Sequence, residues 1–242
     1  MSEIMGSTQR VSSVLRAGGD AVMNELVPKL VRFQKLVRNH GGDVEIDSKA
    51  SREAWLMLPE EVKMAVLKGF SGYLDNCEDL VGAGISLRDN YALVMHSVKK
   101  AGLYTIENVK SILTDDHIVE VYNLDHVQLF RSINFFDLCN YSLLDLLSRQ
   151  WFELFERLES VTNANLDEIT DVVKGGKLRR MTVGPHLLKE LDSNPRGVFN
   201  FNLLYCCPVF SAPGVPGGYL LIDDVKELDL FAPKDDSFVF LR

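Results

Sequence analysis

The chain has 242 residues, 46% hydrophobic and 25% charged, a balance that excludes a disordered chain, a collagen-like repeat and a disulfide scaffold. Its net charge of -8 arises wholly behind residue 114, and neither half offers the basic face that nucleic acid or an anionic membrane would need. No apolar run reaches the roughly 20 residues of a spanning helix, MSEIMGSTQR has no signal core, and Cys77, Cys139, Cys206 and Cys207 form no CxxC pair, so a cytoplasmic chain with reduced thiols is expected.

Leu15, Val22, Leu26, Leu30, Phe33 and Val37 recur at helical spacing, predicting a first helix that Gly41-Gly42 ends. Pro28 either kinks it or starts a new one. The apolar stripe needs cover, from the helices that follow or from its copy in a homodimer. Pro59-Glu60-Glu61 suits a first turn, with Val62, Ala65, Val66 and Phe70 behind it. Residues 76–84 read as a loop, residues 87–100 as a helix that Gly102 stops, and Thr105 as the cap of another helix.

The pattern changes near Asp115. Ile118-Val119-Glu120-Val121-Tyr122 reads as a strand, residues 123–126 as a turn and residues 127–133 as a second strand. Residues 142–158 turn helical, with Leu143, Leu146, Leu147 and Phe155 apolar, and residues 165–173 form another helix closed by Gly175-Gly176. Residues 198–210 form a long strand with Phe199, Phe201, Leu203 and Tyr205 on one face. A turn over 211–218 leads into a strand over 219–225, and residues 237–241 suggest a last edge strand. Two hairpins separated by helices predict an α+β fold: an antiparallel sheet with helices over one face, enclosing a small apolar space.

Residues 115–157 and 186–228 resemble the PAS-domain family. The residues that carry the resemblance are Asn134, Asn140-Tyr141-Ser142, Leu146-Leu147 and Leu154-Phe155, then Gly197, Pro208 and Asp224-Val225-Lys226. Asn140 stands where the family usually has Gly, Lys226 where it usually has Thr, and residues 161–184 are long for the middle of such a domain. The resemblance implies a helical region over 1–113 for dimerisation or signalling, a PAS-like five-stranded sensory domain over 115–230, and a tail or edge strand over 231–242. It also implies a homodimer, and a module that senses a small molecule or engages a protein; some members hold haem or flavin.

No cofactor is assigned. The reactive-Cys motif of flavin photosensors is missing, since Cys139 sits in Asp-Leu-Cys-Asn. His117, His126 and His186 are the histidines a haem could use, and a lone histidine is more often hydrogen-bonded or at the surface. If a small ligand binds, Trp151, Phe152, Phe155, Phe199, Phe201 and Tyr205 are the aromatic cage; otherwise they fill the core. Gly82-Ala83-Gly84 is no dinucleotide loop, and no phosphate loop, GxSxG or HExxH occurs. Asp115-Asp116, Asp223-Asp224 and Asp235-Asp236 read as solvated turn residues, and His96 lacks the context of a phosphoacceptor. The expected function is non-catalytic: a PAS-like regulatory protein that binds a ligand or partner and relays this through its helices. The alternatives are a ligand-free adaptor, its pocket filled by Trp151 and Phe201, and an enzyme working around His186, Glu190 and Asp192.

Overall fold

The structure, a computed structural model, describes residues 20–124 and 128–228, and all of these but Phe152 in their side chains. Leu15, His126, Asp235-Asp236 and the edge strand expected at 237–241 lie outside the described residues.

Helix α1 (Ala21–Asn39) begins at Asp20, whose carboxylate accepts from Met23 N at 2.9 Å. The same carboxylate accepts from Trp55 Nε1 at 3.1 Å and Lys63 Nζ at 2.9 Å, so one cap ties together α1, α2 (Lys49–Met57) and α3 (Glu60–Gly82). Pro28 stays inside α1. Leu26, Leu30, Phe33 and Val37 have no exposed surface, so the stripe is covered within the chain and is not free to pair with a copy. Helix α3 continues to Gly82, through most of the expected loop at 76–84, because Tyr73, Leu74, Cys77 and Leu80 extend its buried face. Asp89 caps α4 (Asn90–Lys100). Thr105 caps no helix; a single 3-10 turn follows at Val109–Ser111, begun by Asn108.

Among the described residues seven antiparallel strands form one sheet, where five were expected. They are β1 (Ile118–Asn123), β2 (Gln128–Arg131), β3 (Phe155–Glu156), β4 (Arg179–Arg180), β5 (His186–Glu190), β6 (Val198–Ala212) and β7 (Val215–Glu227). The order is β2-β1-β7-β6-β5-β3, with β4 also pairing β6. The two extra strands, β3 and β4, are two residues each and extend the sheet around its long central pair. That pair turns at Pro213-Gly214, tighter than the turn expected at 211–218, with Gly214 at φ 72. At Gly218 a Cβ would meet the Tyr122 carbonyl oxygen at 2.1 Å, so only glycine lets β7 lie this close to β1.

The helix expected over 142–158 is broken in two, α5 (Leu143–Ser148) and α6 (Trp151–Leu154). Arg149 and Gln150 are extended between them, and each piece opens with its own capping box, Ser142 with Asp145 and Gln150 with Glu153. Helix α7 (Glu159–Gly175) follows and is closed by left-handed Gly176.

Helices cover both faces of the sheet, not one. On one face Val119, Val121, Leu220, Ile222, Cys207 and Val209 join a single apolar cluster with α1, α3 and α4. The alternate residues turn to the other face, where α7 packs Ile169 and Val172 against Leu203, Tyr219 and Leu221. Both faces need cover because both sets of alternate residues on β1 and β7 are largely apolar.

Candidate functional site

Cover on the α7 side is incomplete. Ile118, Glu120 and Tyr122 of β1, Asp223 and Val225 of β7, and Phe201 of β6 face a cavity of about 160 Å³. A single water needs roughly 10–15 Å³ of such space. Thr162, Asn165, Leu166 and Ile169, spaced three, one and three apart on α7, form its roof. Trp151 (37% exposed) and Leu166 (38%) stand at its rim.

One polar group in the cavity is largely self-satisfied. Arg131 lies 2.7 Å from Glu120 Oε1. Tyr122 Oη donates to Glu120 Oε2 at 2.9 Å, and Gln128 Nε2 donates to Glu120 Oε1 and Tyr122 Oη, both at 2.9 Å. The Arg131 guanidinium also lies 3.8 Å from the Phe135 ring centroid. Burial opposes its charge, but Glu120 and Tyr122 outweigh that and hold its pKa above the usual value.

Several other polar atoms in the cavity have no hydrogen-bond partner among the described residues. Asp223 has no exposed surface, and neither carboxylate oxygen accepts a hydrogen bond. Asn165 is 4% exposed with both amide atoms unpaired. Arg157 packs its guanidinium against Trp151 at 4.9 Å and Phe201 at 5.0 Å, and its Nε is unpartnered, as is Arg131 Nε. Burial pushes the Asp223 carboxyl well above the carboxylate range and Glu120 adds to this, against the pull of Arg157 and Arg131. Burial also lowers the Arg157 pKa. A buried polar group left unpaired costs about 1–3 kcal/mol. These groups therefore weaken the fold where they stand, and their placement around one hollow suits a polar guest.

Four of the six expected cage residues line this cavity: Trp151, Phe155, Phe199 and Phe201. The Phe152 side chain lies outside the description. Tyr205 does not line it, because β6 bulges between Leu203 and Tyr205. The extra residue turns Tyr205 to the opposite face, where it packs on the cluster of α1–α4. Neither Trp151 nor Phe201 fills the space.

Sequence reasoning missed Glu120, Arg131, Arg157, Asn165 and Asp223. A signal for Asp223 was present: it alternates with Tyr219, Leu221 and Val225 on one face of β7 and lies opposite Leu203 and Ile118. It is a buried strand residue, not the solvated turn residue expected.

His186, Glu190 and Asp192 do not converge on a shared point. Glu190, with no exposed surface, accepts from Asn140 N, Asn140 Nδ2, Ser193 Oγ and Gly197 N at 2.8, 3.0, 2.6 and 2.7 Å. Asp192 pairs with Arg149 at 3.0 Å. His186 sits 5.4 Å from the Phe201 ring, its pKa lowered by burial, with Arg157 adding to this and the Gly184 carbonyl opposing. His117 Nδ1 accepts from Thr114 N at 3.2 Å. Cys139 borders the cavity with its thiol pushed up by burial, so it stays protonated. Among the described residues no three His, Cys, Asp or Glu gather as metal ligands, and no helix is long and apolar enough to cross a membrane.

No protein-family model matches the chain, and no curated protein matches it either.

Proposed function

We propose that the chain is a PAS-like sensory or regulatory protein that binds a small organic molecule between its sheet and α7 and relays binding to α1–α4. The observation that carries this reading is the hollow itself, with Asp223 and Asn165 buried and unpaired inside it. The strand order supports the PAS-like reading, since the first hairpin (β1–β2) lies beside the last (β6–β7), with the helical connection spanning one face.

The relay follows from alternation. Glu120 and Tyr122 face the cavity while Val119 and Val121, their chain neighbours, pack under the helices; Asp223 and Ile222 share the same relation on β7. A guest that pulls on Glu120 or Asp223 therefore moves residues one peptide away in the helical core, and shifts populations only as far as it favours one packing.

A thermal-shift screen of small metabolites against the full chain, run beside Ile169→Trp, tests the reading. Tryptophan at this roof position fills the hollow. Compounds that raise the melting temperature of the wild type and not of the filled variant are the expected result. No shift in the wild type, or equal shifts in both chains, would overturn it.

A further inference from the structure

We propose that the guest is a free α-amino acid with an apolar side chain, its ammonium group held by Asp223 and Asn165 and its carboxylate by Arg157 and Arg131. This rests on the ligand-binding reading above and names its ligand class.

The unmet atoms set the chemistry. Three acceptors in the cavity lining lack donors: Asp223 Oδ1, Asp223 Oδ2 and Asn165 Oδ1. An ammonium group carries three N–H donors and no acceptor. Three donors lack acceptors: Arg157 Nε, Arg131 Nε and Asn165 Nδ2. A carboxylate offers about four lone-pair sites and no donor.

Charge gives the same answer. Glu120 and Arg131 neutralise one another at 2.7 Å. Arg157 and Asp223 line the same space with no hydrogen bond between them; burial favours the protonated Asp223 carboxyl while the space is empty, and an ammonium group beside it restores the carboxylate. A plain carboxylate would meet Arg157 and leave the Asp223 and Asn165 oxygens without a donor. A plain amine would meet Asp223 and leave Arg157 unmet. A zwitterion with both groups on one carbon answers both at once. The remaining wall, with Phe155, Leu188 and Phe199, is apolar and suits an aliphatic or aromatic side chain.

Calorimetric titration of the full chain, dialysed free of small molecules, tests this with L-leucine, L-methionine and L-phenylalanine as probes. 3-Phenylpropionate and phenethylamine serve as the two half-ligands. At least one amino acid is expected to bind, with each half-ligand at least tenfold weaker than L-phenylalanine or undetectable. Asp223→Asn and Arg157→Gln are each expected to lose at least tenfold in affinity while melting within a few degrees of the wild type. A half-ligand as tight as L-phenylalanine, or undiminished binding by both variants, overturns the assignment. If the amino acids fail while another metabolite class shifts the wild type and not Ile169→Trp, this ligand class is wrong and the cavity reading stands. If nothing shifts the wild type, both fall, and the unpaired groups hold water alone.

Discussion

On the side facing α1–α4 the sheet offers Val119, Val121, Cys207, Val209, Leu220 and Ile222, all at or near zero exposure and all in contact with packed side chains. On the side facing α7, the same strands offer Glu120, Phe201 and Asp223 around empty space. Strand propensity is common to the two faces, so it does not explain the difference. The dense face supplies stability, since close packing and burial of apolar area are what hold a domain together. That surplus lets the hollow face keep unpaired polar groups. Two buried carboxylates repeat the contrast on a smaller scale. Glu190 accepts from Asn140, Ser193 and Gly197, whereas Asp223 accepts from nothing.

The sharpest way to break this comparison is to truncate one aromatic on each side. Phe33 meets Phe70, Tyr73 and Phe136 at centroid distances of 5.0–5.5 Å and has no exposed surface. Phe33→Ala is expected to cost about 3–5 kcal/mol in urea unfolding. Glu190→Ala comes next, at about 3 kcal/mol, because it strands the donors of Asn140, Ser193 and Gly197. Phe201→Ala should cost only about 1–2 kcal/mol, since Phe201 is half-buried and already borders a void. Equal losses at Phe33 and Phe201 would mean that the two faces carry the same load.

The pH dependence at Asp223 gives a smaller effect with a definite sign. Its carboxyl is raised in the folded chain, so the folded state keeps a proton that the unfolded state has already released. The stability this group supports is whole below about pH 4 and is lost as pH rises through the folded pKa. Asparagine has no such proton to lose. The advantage of Asp223→Asn over the wild type should therefore be smallest near about pH 3 and widen as pH rises. A gap that narrows with rising pH would show that Asp223 is stabilised as an anion.

Much of this architecture was legible in the sequence wherever periodicity was unbroken. The stripe from Val22 to Val37 and the alternation along β6 follow from spacing, the strand at Ile118–Asn123 from its β-branched residues, and β7 from the turn that precedes it. Misreadings came where one local signal stood against a tertiary one. Asn76 and the glycines at 82 and 84 suggested a loop, but the buried face through Cys77 and Leu80 kept α3 helical. The Arg149–Gln150 break lies within a helical pattern, and only its second capping box marks it. Of the four cage aromatics that line the cavity, Phe199 and Phe201 were found because alternation points them inward, whereas Trp151 and Phe155 came from a segment read as one helix. Tyr205 was lost to a single-residue bulge, which reverses facing and leaves no mark in composition. Arg131 and Arg157 were missed because a lone arginine reads as surface until β2, α6 and α7 are assembled around it.

The most direct test of the central claim, that the hollow face holds its polar groups for a guest and not for the fold, is the unfolding free energy of Asp223→Asn near neutral pH. Both chains would be dialysed free of small molecules and unfolded in urea. The account expects the variant to be more stable than the wild type, by about 1 kcal/mol, because a bare buried carboxyl is replaced by a neutral amide of the same shape. A variant less stable by that amount would contradict it, since Asp223 would then be holding the sheet together.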